Sequence, residues 1–130
     1  MKMKHVGWVA GCGLLFAGLV SSPVMADAPE SYDARAAFES VGEDRAAQIF
    51  RRTCQACHGR GQGFMGAPRI EREQDWEWRL DARGFDMLVH NTIRGIGAMP
   101  PRGGNSQLSD EEIAAVMYYI FQETGISIDE

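Results

Sequence analysis

The stretch Cys54-Gln55-Ala56-Cys57-His58 decides how this chain is read. It has the form C-x-x-C-H, the attachment signature of a c-type haem. On a helix, residues i, i+3 and i+4 lie on one face. Two thiols one turn apart can then add to the two vinyl groups of a haem. His58 can turn its imidazole to the iron as the proximal ligand. Two other chemistries use paired cysteines. A tetrahedral zinc site wants three or four ligands, and the chain has no second Cys/His cluster. A redox dithiol sits near a βαβ pattern, which this sequence lacks. The surviving reading is one covalent haem c with its iron.

The N-terminus agrees with that chemistry. Lys2 and Lys4 precede an apolar run from about Val6 to Val20, followed by Ser21-Ser22-Pro23 and the small-residue site Val24-Met25-Ala26. Residues 1–26 read as a secretory signal peptide cleaved after Ala26. An uncleaved anchor is the first alternative. The run is short for a span of ~20 residues and ends at the helix-breaking Pro23. A lipoprotein is the second, because Val9-Ala10-Gly11-Cys12 resembles a lipobox, but strongly apolar residues continue past Cys12. Cleavage removes Cys12 and leaves two cysteines, both in the haem motif, so no pair remains for a disulfide. Covalent haem c is attached outside the bacterial cytoplasm, and the periplasm is the expected compartment.

The remaining chain, about a hundred residues, suffices for one small domain. Its own core would be marginal, and a buried porphyrin adds a large apolar body to it. Eleven arginines, no lysine and eighteen carboxylates follow position 26, a balance of −7 before two haem propionates are counted. Nucleic acid and anionic membrane surfaces are disfavoured as partners. The sign suggests steering toward a partner with a basic docking patch, weakened by salt. The competing reading is that acidity only aids solubility.

Residues 27–42 read as a polar arm or a short helix around Tyr32–Glu39, and residues 43–130 as the haem domain. Ala46, Phe50, Cys54 and Cys57 recur at helical spacing, so a helix runs from about Asp44 into the motif. Its acidic first turn suits the positive end of the helix dipole. The glycine-rich segment 59–68 is no phosphate cradle, lacking a preceding strand and a Gly-Lys-Ser/Thr end. Helices are expected over about Gln74–Ala82 and Phe85–Arg94, with Gly84 between them and Gly95 as a stop. A last helix starts behind Ser109, with Glu112 completing a capping box and Ile113, Val116, Met117 and Ile120 as its apolar stripe. No run alternates with period two. The fold class is all-α.

A haem iron with one histidine has an open face, and Met99 is the best candidate to close it. A thioether raises the potential relative to a second histidine. Met99 lies on a glycine-rich segment stiffened by Pro100-Pro101. Met65 is close in sequence to the proximal histidine, Met87 and Met117 fit helical packing, and His90 reads as a helix surface residue. The Pro68 carbonyl or its neighbour's can accept the Nδ1–H of His58, although a plain turn proline is also an ordinary reading. Trp76 and Arg79, three apart, carry donors suited to a haem propionate. A packed tryptophan with a solvated arginine is the other reading.

This pattern resembles the class I c-type cytochromes, and within them the cytochrome c5 family. The resemblance covers about residues 42–121. It runs through Ile49-Phe50, the C-x-x-C-H motif, Gly66-Ala67-Pro68, Trp76 with Arg79, Leu88 and Gly95. It is most distinctive at Gly97-Ala98-Met99-Pro100-Pro101-Arg102-Gly103-Gly104-Asn105, then Leu108-Ser109-Asp110-Glu111-Glu112 and Tyr119-Ile120. It implies the small cytochrome c fold, about four to five helices around one haem. It also implies His58/Met99 coordination, a supporting Pro68, and Phe50 packed near Tyr119. Ala46 stands where many relatives have glycine, so a slightly wider crossing of first and last helices is expected. The extra cysteine pair of some c5 proteins is missing.

The function expected is single-electron transfer between redox protein partners, such as membrane-bound respiratory complexes or periplasmic oxidoreductases. No membrane span is expected after signal cleavage. A cytochrome subunit of a periplasmic dehydrogenase or reductase is the alternative, favoured by an exposed apolar patch near the haem edge. An enzyme or gas sensor would require that Met99 leave the iron open. The sequence shows no substrate pocket or catalytic acid–base pair.

Overall fold

The computed structural model describes residues 30–61 and 63–128. The expected signal peptide and its cleavage site lie outside the described residues. Helix α1 (Ala34–Val41) is capped by Asp33, whose carboxylate accepts from the Ala36 N–H at 2.8 Å. Gly42, at φ +84°, ends it and starts α2 (Glu43–Ile49). A π-helical turn (Phe50–Cys54) comes next, then α3 (Gln55–His58), making one helical run from Glu43 to His58. Helices α4 (Glu73–Arg83) and α5 (Phe85–Arg94) are separated by Gly84 alone. Helix α6 (Asp110–Thr124) closes the order. Five helical rods with no strand among the described residues give the all-α fold expected.

Two details differ from the sequence reading. The helix that starts at Glu43 is not a regular α-helix into the motif. Within the π turn the Gln55 N–H reaches back to the Phe50 carbonyl, five residues away. One extra residue per turn rotates the downstream residues by ~100° about the axis. Ala46, Ile49 and Phe50 therefore face the core, while Cys54 and Cys57 are only half-buried and His58 is buried again.

The second difference is at α6. Its capping box forms as expected, with both Ser109–Glu112 bonds at 3.1 Å. Its apolar face is wider than the expected stripe. Ala114, Ala115, Tyr118 and Phe121 are buried together with Ile113, Val116, Met117 and Ile120. The cause is α1, which lies along α6 with Ala34 and Ala37 inward and stacks Phe38 against Tyr118 at 5.1 Å between ring centroids. On the other side α2 crosses α6 with Ala46 fully buried, and Phe50 meets Tyr119 at 5.9 Å. A side chain of Phe121's size contributes about 2–3 kcal/mol when fully buried, and Phe121 has no exposed surface. The helix least in contact with water thus organises the core.

Candidate haem site

His58 ends α3 and is 8% exposed. Its Nδ1 lies 2.8 Å from the Pro68 carbonyl oxygen. A carbonyl only accepts, so Nδ1 carries the proton and donates. Nε2 is then the one ring nitrogen with a free lone pair. Burial lowers the pKa of the imidazole, against the raising effect of the Pro68 bond, so the ring is held in its neutral form. That is the form that binds a metal. The chain returns the contact at the backbone: the Ile70 N–H donates to the His58 carbonyl at 2.9 Å. Pro68, with no N–H of its own, sits in an extended segment that offers its carbonyl inward.

Of the two readings of Trp76, the structure shows the packed one. Its indole N–H donates to the Arg69 carbonyl at 3.0 Å rather than standing free for a propionate. The ring is buried, 5.8 Å from the His58 ring and 5.6 Å from Phe121. Successive carbonyls, Pro68 and Arg69, are therefore held by His58 and Trp76. Arg79 is not paired with Trp76 either. Its guanidinium lies over the Trp78 ring at 4.3 Å and donates to the Asp75 carbonyl one turn back. The indole has one N–H and the Arg69 carbonyl takes it, whereas the Arg79 guanidinium has five and the Asp75 carbonyl takes one.

Cys54 and Cys57 are free thiols, both half-buried. Burial pushes the Cys54 thiol up to about 12, and Cys57 beside it acts in the same sense. Two free thiols, uncommitted to each other, adjoin a neutral imidazole with one free nitrogen. This donor set fits a haem c.

Met99 sits in a tight turn. Ile96 and Met99 exchange backbone hydrogen bonds at 3.1 and 3.0 Å. Gly95, at φ +81°, lies so close that a Cβ there would meet the Met99 oxygen and the Pro101 nitrogen at 2.9 Å. The 3₁₀ turn Pro101–Gly104 then folds onto the helix carrying the motif: a Cβ on Gly103 would touch Thr53, next to Cys54, at 3.0 Å. Arg102 locks this loop from the far side. It adopts φ +54°, bridges Asp110 at 2.5 Å and donates to the Leu108 carbonyl at 3.0 Å. The roles of Arg102 and Thr53 escaped the sequence reading. An arginine among glycines, eight residues before an acidic helix start, was the available signal. Met65, the nearer competitor, is 73% exposed in a separate 3₁₀ turn.

A family model described as cytochrome C oxidase, cbb3-type, subunit III matches residues 42–120. Cytochrome c5 of Ectopseudomonas mendocina is 39% identical over 79 residues, covering 60% of this chain and 88% of that protein. Cytochrome c5 of Azotobacter vinelandii is 36% identical over 70 residues, covering 53% of this chain and 82% of that one. A chain from the crystal structure of an electron transfer complex of nitrite reductase with cytochrome c is similar at TM-score 0.54 and 32% identity, over 61% of this chain and 93% of that one.

Proposed function

This chain belongs to the class I c-type cytochromes, in the cytochrome c5 family, and on that premise we propose that it is a periplasmic monohaem carrier whose iron is bound by His58 and Met99. The family's members are electron carriers with one covalent haem c. When bound, that group supplies a one-electron Fe(III)/Fe(II) couple. The observation that carries the His58 assignment is the 2.8 Å bond from its Nδ1 to Pro68, which leaves Nε2 as the ring nitrogen with a free lone pair.

Each residue has its own task. Cys54 and Cys57 hold the porphyrin through thioethers. The Pro68 carbonyl orients the His58 ring and makes its free nitrogen more basic. Trp76 fixes the Arg69 carbonyl beside it and excludes water from the histidine side. Met99 offers a soft sulfur from a loop braced by Gly95, Thr53 and Arg102. Arg79 acts from the rim of α4, where its guanidinium is held by the Asp75 carbonyl and not by any of these groups.

Spectroscopy tests this assignment. Ferric protein purified from periplasm should show the weak near-infrared band of Met-to-Fe(III) coordination, and Met99→Ala should abolish it. A band that survives the substitution would sink the assignment. Cys54→Ala with Cys57→Ala should leave no covalent pigment.

The second reading, a cytochrome subunit of a periplasmic oxidoreductase, draws support from exposed Phe64 and Met65. Gentle fractionation of the periplasm separates the two readings: a free carrier elutes at its own size, a subunit with its enzyme.

A further inference from the structure

Two successive peptide units, Pro68–Arg69 and Arg69–Ile70, lie between His58 and the first turn of α4, and each is hydrogen-bonded at both ends. In the second unit the carbonyl accepts from the Trp76 indole at 3.0 Å, and the N–H donates to the His58 carbonyl at 2.9 Å. In the first unit the carbonyl accepts from His58 Nδ1 at 2.8 Å, and the Arg69 N–H donates to Oδ2 of Asp75 at 3.3 Å. His58 thus meets both units, and α4 meets both through consecutive side chains, Asp75 and Trp76. The indole of Trp76 is a neutral partner. The partner at Asp75 is a carboxylate.

That difference has a chemical consequence at the imidazole. Resonance couples the two ends of a peptide unit. A negative acceptor at the N–H draws the proton toward itself and moves electron density onto the carbonyl oxygen, which becomes a better acceptor in turn. Here that oxygen belongs to Pro68, and its donor is His58 Nδ1. A stronger acceptor at Nδ1–H leaves Nε2 more basic. Asp75 is half-buried, and its other oxygen, Oδ1, has Arg72 Nε at 3.6 Å. The Arg72 side chain is half exposed, so water screens its hold on the carboxylate. A purely structural Asp75 would tie residues 68–70 to α4 and leave the imidazole unchanged.

We propose that Asp75 is a positioning residue for His58: through the Pro68–Arg69 peptide its charge strengthens the Nδ1–H bond, raises the donor power of Nε2 and holds down the reduction potential of the iron that His58 binds. This rests on the reading of His58 as an axial ligand. A more basic axial nitrogen favours Fe(III) over Fe(II), so the effect is opposite in sign to that of a thioether ligand.

The test compares the wild-type holoprotein with Asp75→Asn, Asp75→Ala and Glu73→Gln. The last removes the same charge from the same turn of α4, at an exposed position. In the ferrous, diamagnetic protein, the NMR signals of the Arg69 amide proton and the His58 Nδ1 proton should both move upfield in Asp75→Asn. They should move further in Asp75→Ala, because a neutral acceptor is weaker than a charged one and a missing acceptor weaker still. At equilibrium with a reference redox couple, the ratio of reduced to oxidised protein should rise about threefold in both variants. Glu73→Gln should leave both protons in place and change the ratio by less than about 1.5-fold, its charge being screened by solvent. A His58 proton that stays fixed while the Arg69 proton moves would overturn the proposal. An equal change of ratio in Glu73→Gln would also overturn it and assign the effect to charge acting through space. Wild type alone gives a further check should the variants fail to mature: its Arg69 amide should exchange slowly with deuterium, and rapid exchange would remove the bond on which the relay depends. If the carbon-bound ring protons of His58 lack the large upfield shift that a porphyrin ring current gives an axial histidine, the ligand reading fails instead. The Arg69 signal then still reports whether Asp75 polarises the peptide.

Discussion

Glu112 is the residue with the most partners at the N-terminus of α6. One carboxylate oxygen accepts from Arg45 Nε and Nη2 at 2.9 and 2.6 Å, and the other accepts from the Ser109 N–H at 3.1 Å. Arg45 also donates to Gln48, so its guanidinium is oriented from its own helix. One side chain thus caps α6 and ties it to α2. The Arg45 bond, then the Ser109 bond, hold the Glu112 carboxyl below its ordinary 4.5. A carboxyl depressed in the folded state contributes stability above its unfolded pKa and loses it as pH falls through the folded value. Glu112→Gln should therefore cost about 1 kcal/mol at pH 7. Urea unfolding should show the gap between wild type and variant closing below about pH 4. A gap that stays constant through acid would mean that the charge has no part in it.

At the scale of the element, the Met99 loop depends on a glycine. Gly95 and Gly42 have nearly the same backbone, φ +81° and +84°, and both come directly after a helix. Their surroundings differ. A Cβ at Gly42 meets nothing within 4 Å, whereas one at Gly95 meets backbone atoms of Met99 and Pro101 at 2.9 Å. Backbone at both ends of such a contact gives little room for relief. Gly42→Ala should cost about 1 kcal/mol, the strain of a positive φ alone. Gly95→Ala should cost about 2 kcal/mol or more and displace the loop. Thermal unfolding with the near-infrared band as a second probe separates these. Only Gly95→Ala should weaken the band. Equal effects of the two substitutions would show that the close approach does not govern the ligand loop.

The whole molecule is a family core with a helix added in front. The family match starts at residue 42, where α1 has just ended. Helix α1 covers a side of α6 that would otherwise expose Tyr118 and neighbouring alanines, and the Tyr32 N–H ties its start to Asp86 of α5 at 2.9 Å. Its ring contact, Phe38 on Tyr118, is made with α6 and not with the segments that carry the haem motif and Met99. Phe38→Ala should cost about 2 kcal/mol, because a partly buried ring loses its packing on Tyr118. In a domain this small, that lowers the thermal midpoint by roughly 10 °C. Covalent haem and the optical spectrum should be unchanged. A changed spectrum would mean that α1 reaches the site through α6.

Local signals by themselves determined the cofactor chemistry and the elements. The C-x-x-C-H spacing, Ser109 with Glu112, and the glycines at 84 and 95 each act within one turn of chain, so a linear reading finds them. What only the tertiary structure decided are contacts between distant segments. The π turn leaves no signature in a helical periodicity. Trp76 had the spacing for a propionate partner, but its single N–H goes to the Arg69 carbonyl, because the nearest carbonyl competes for that donor. The breadth of the buried face of α6 depends on α1, and the seat of Met99 on Thr53 and Arg102. Long-range packing chooses among faces and partners that local propensity leaves equivalent, and that choice is made only when the chain has closed on itself.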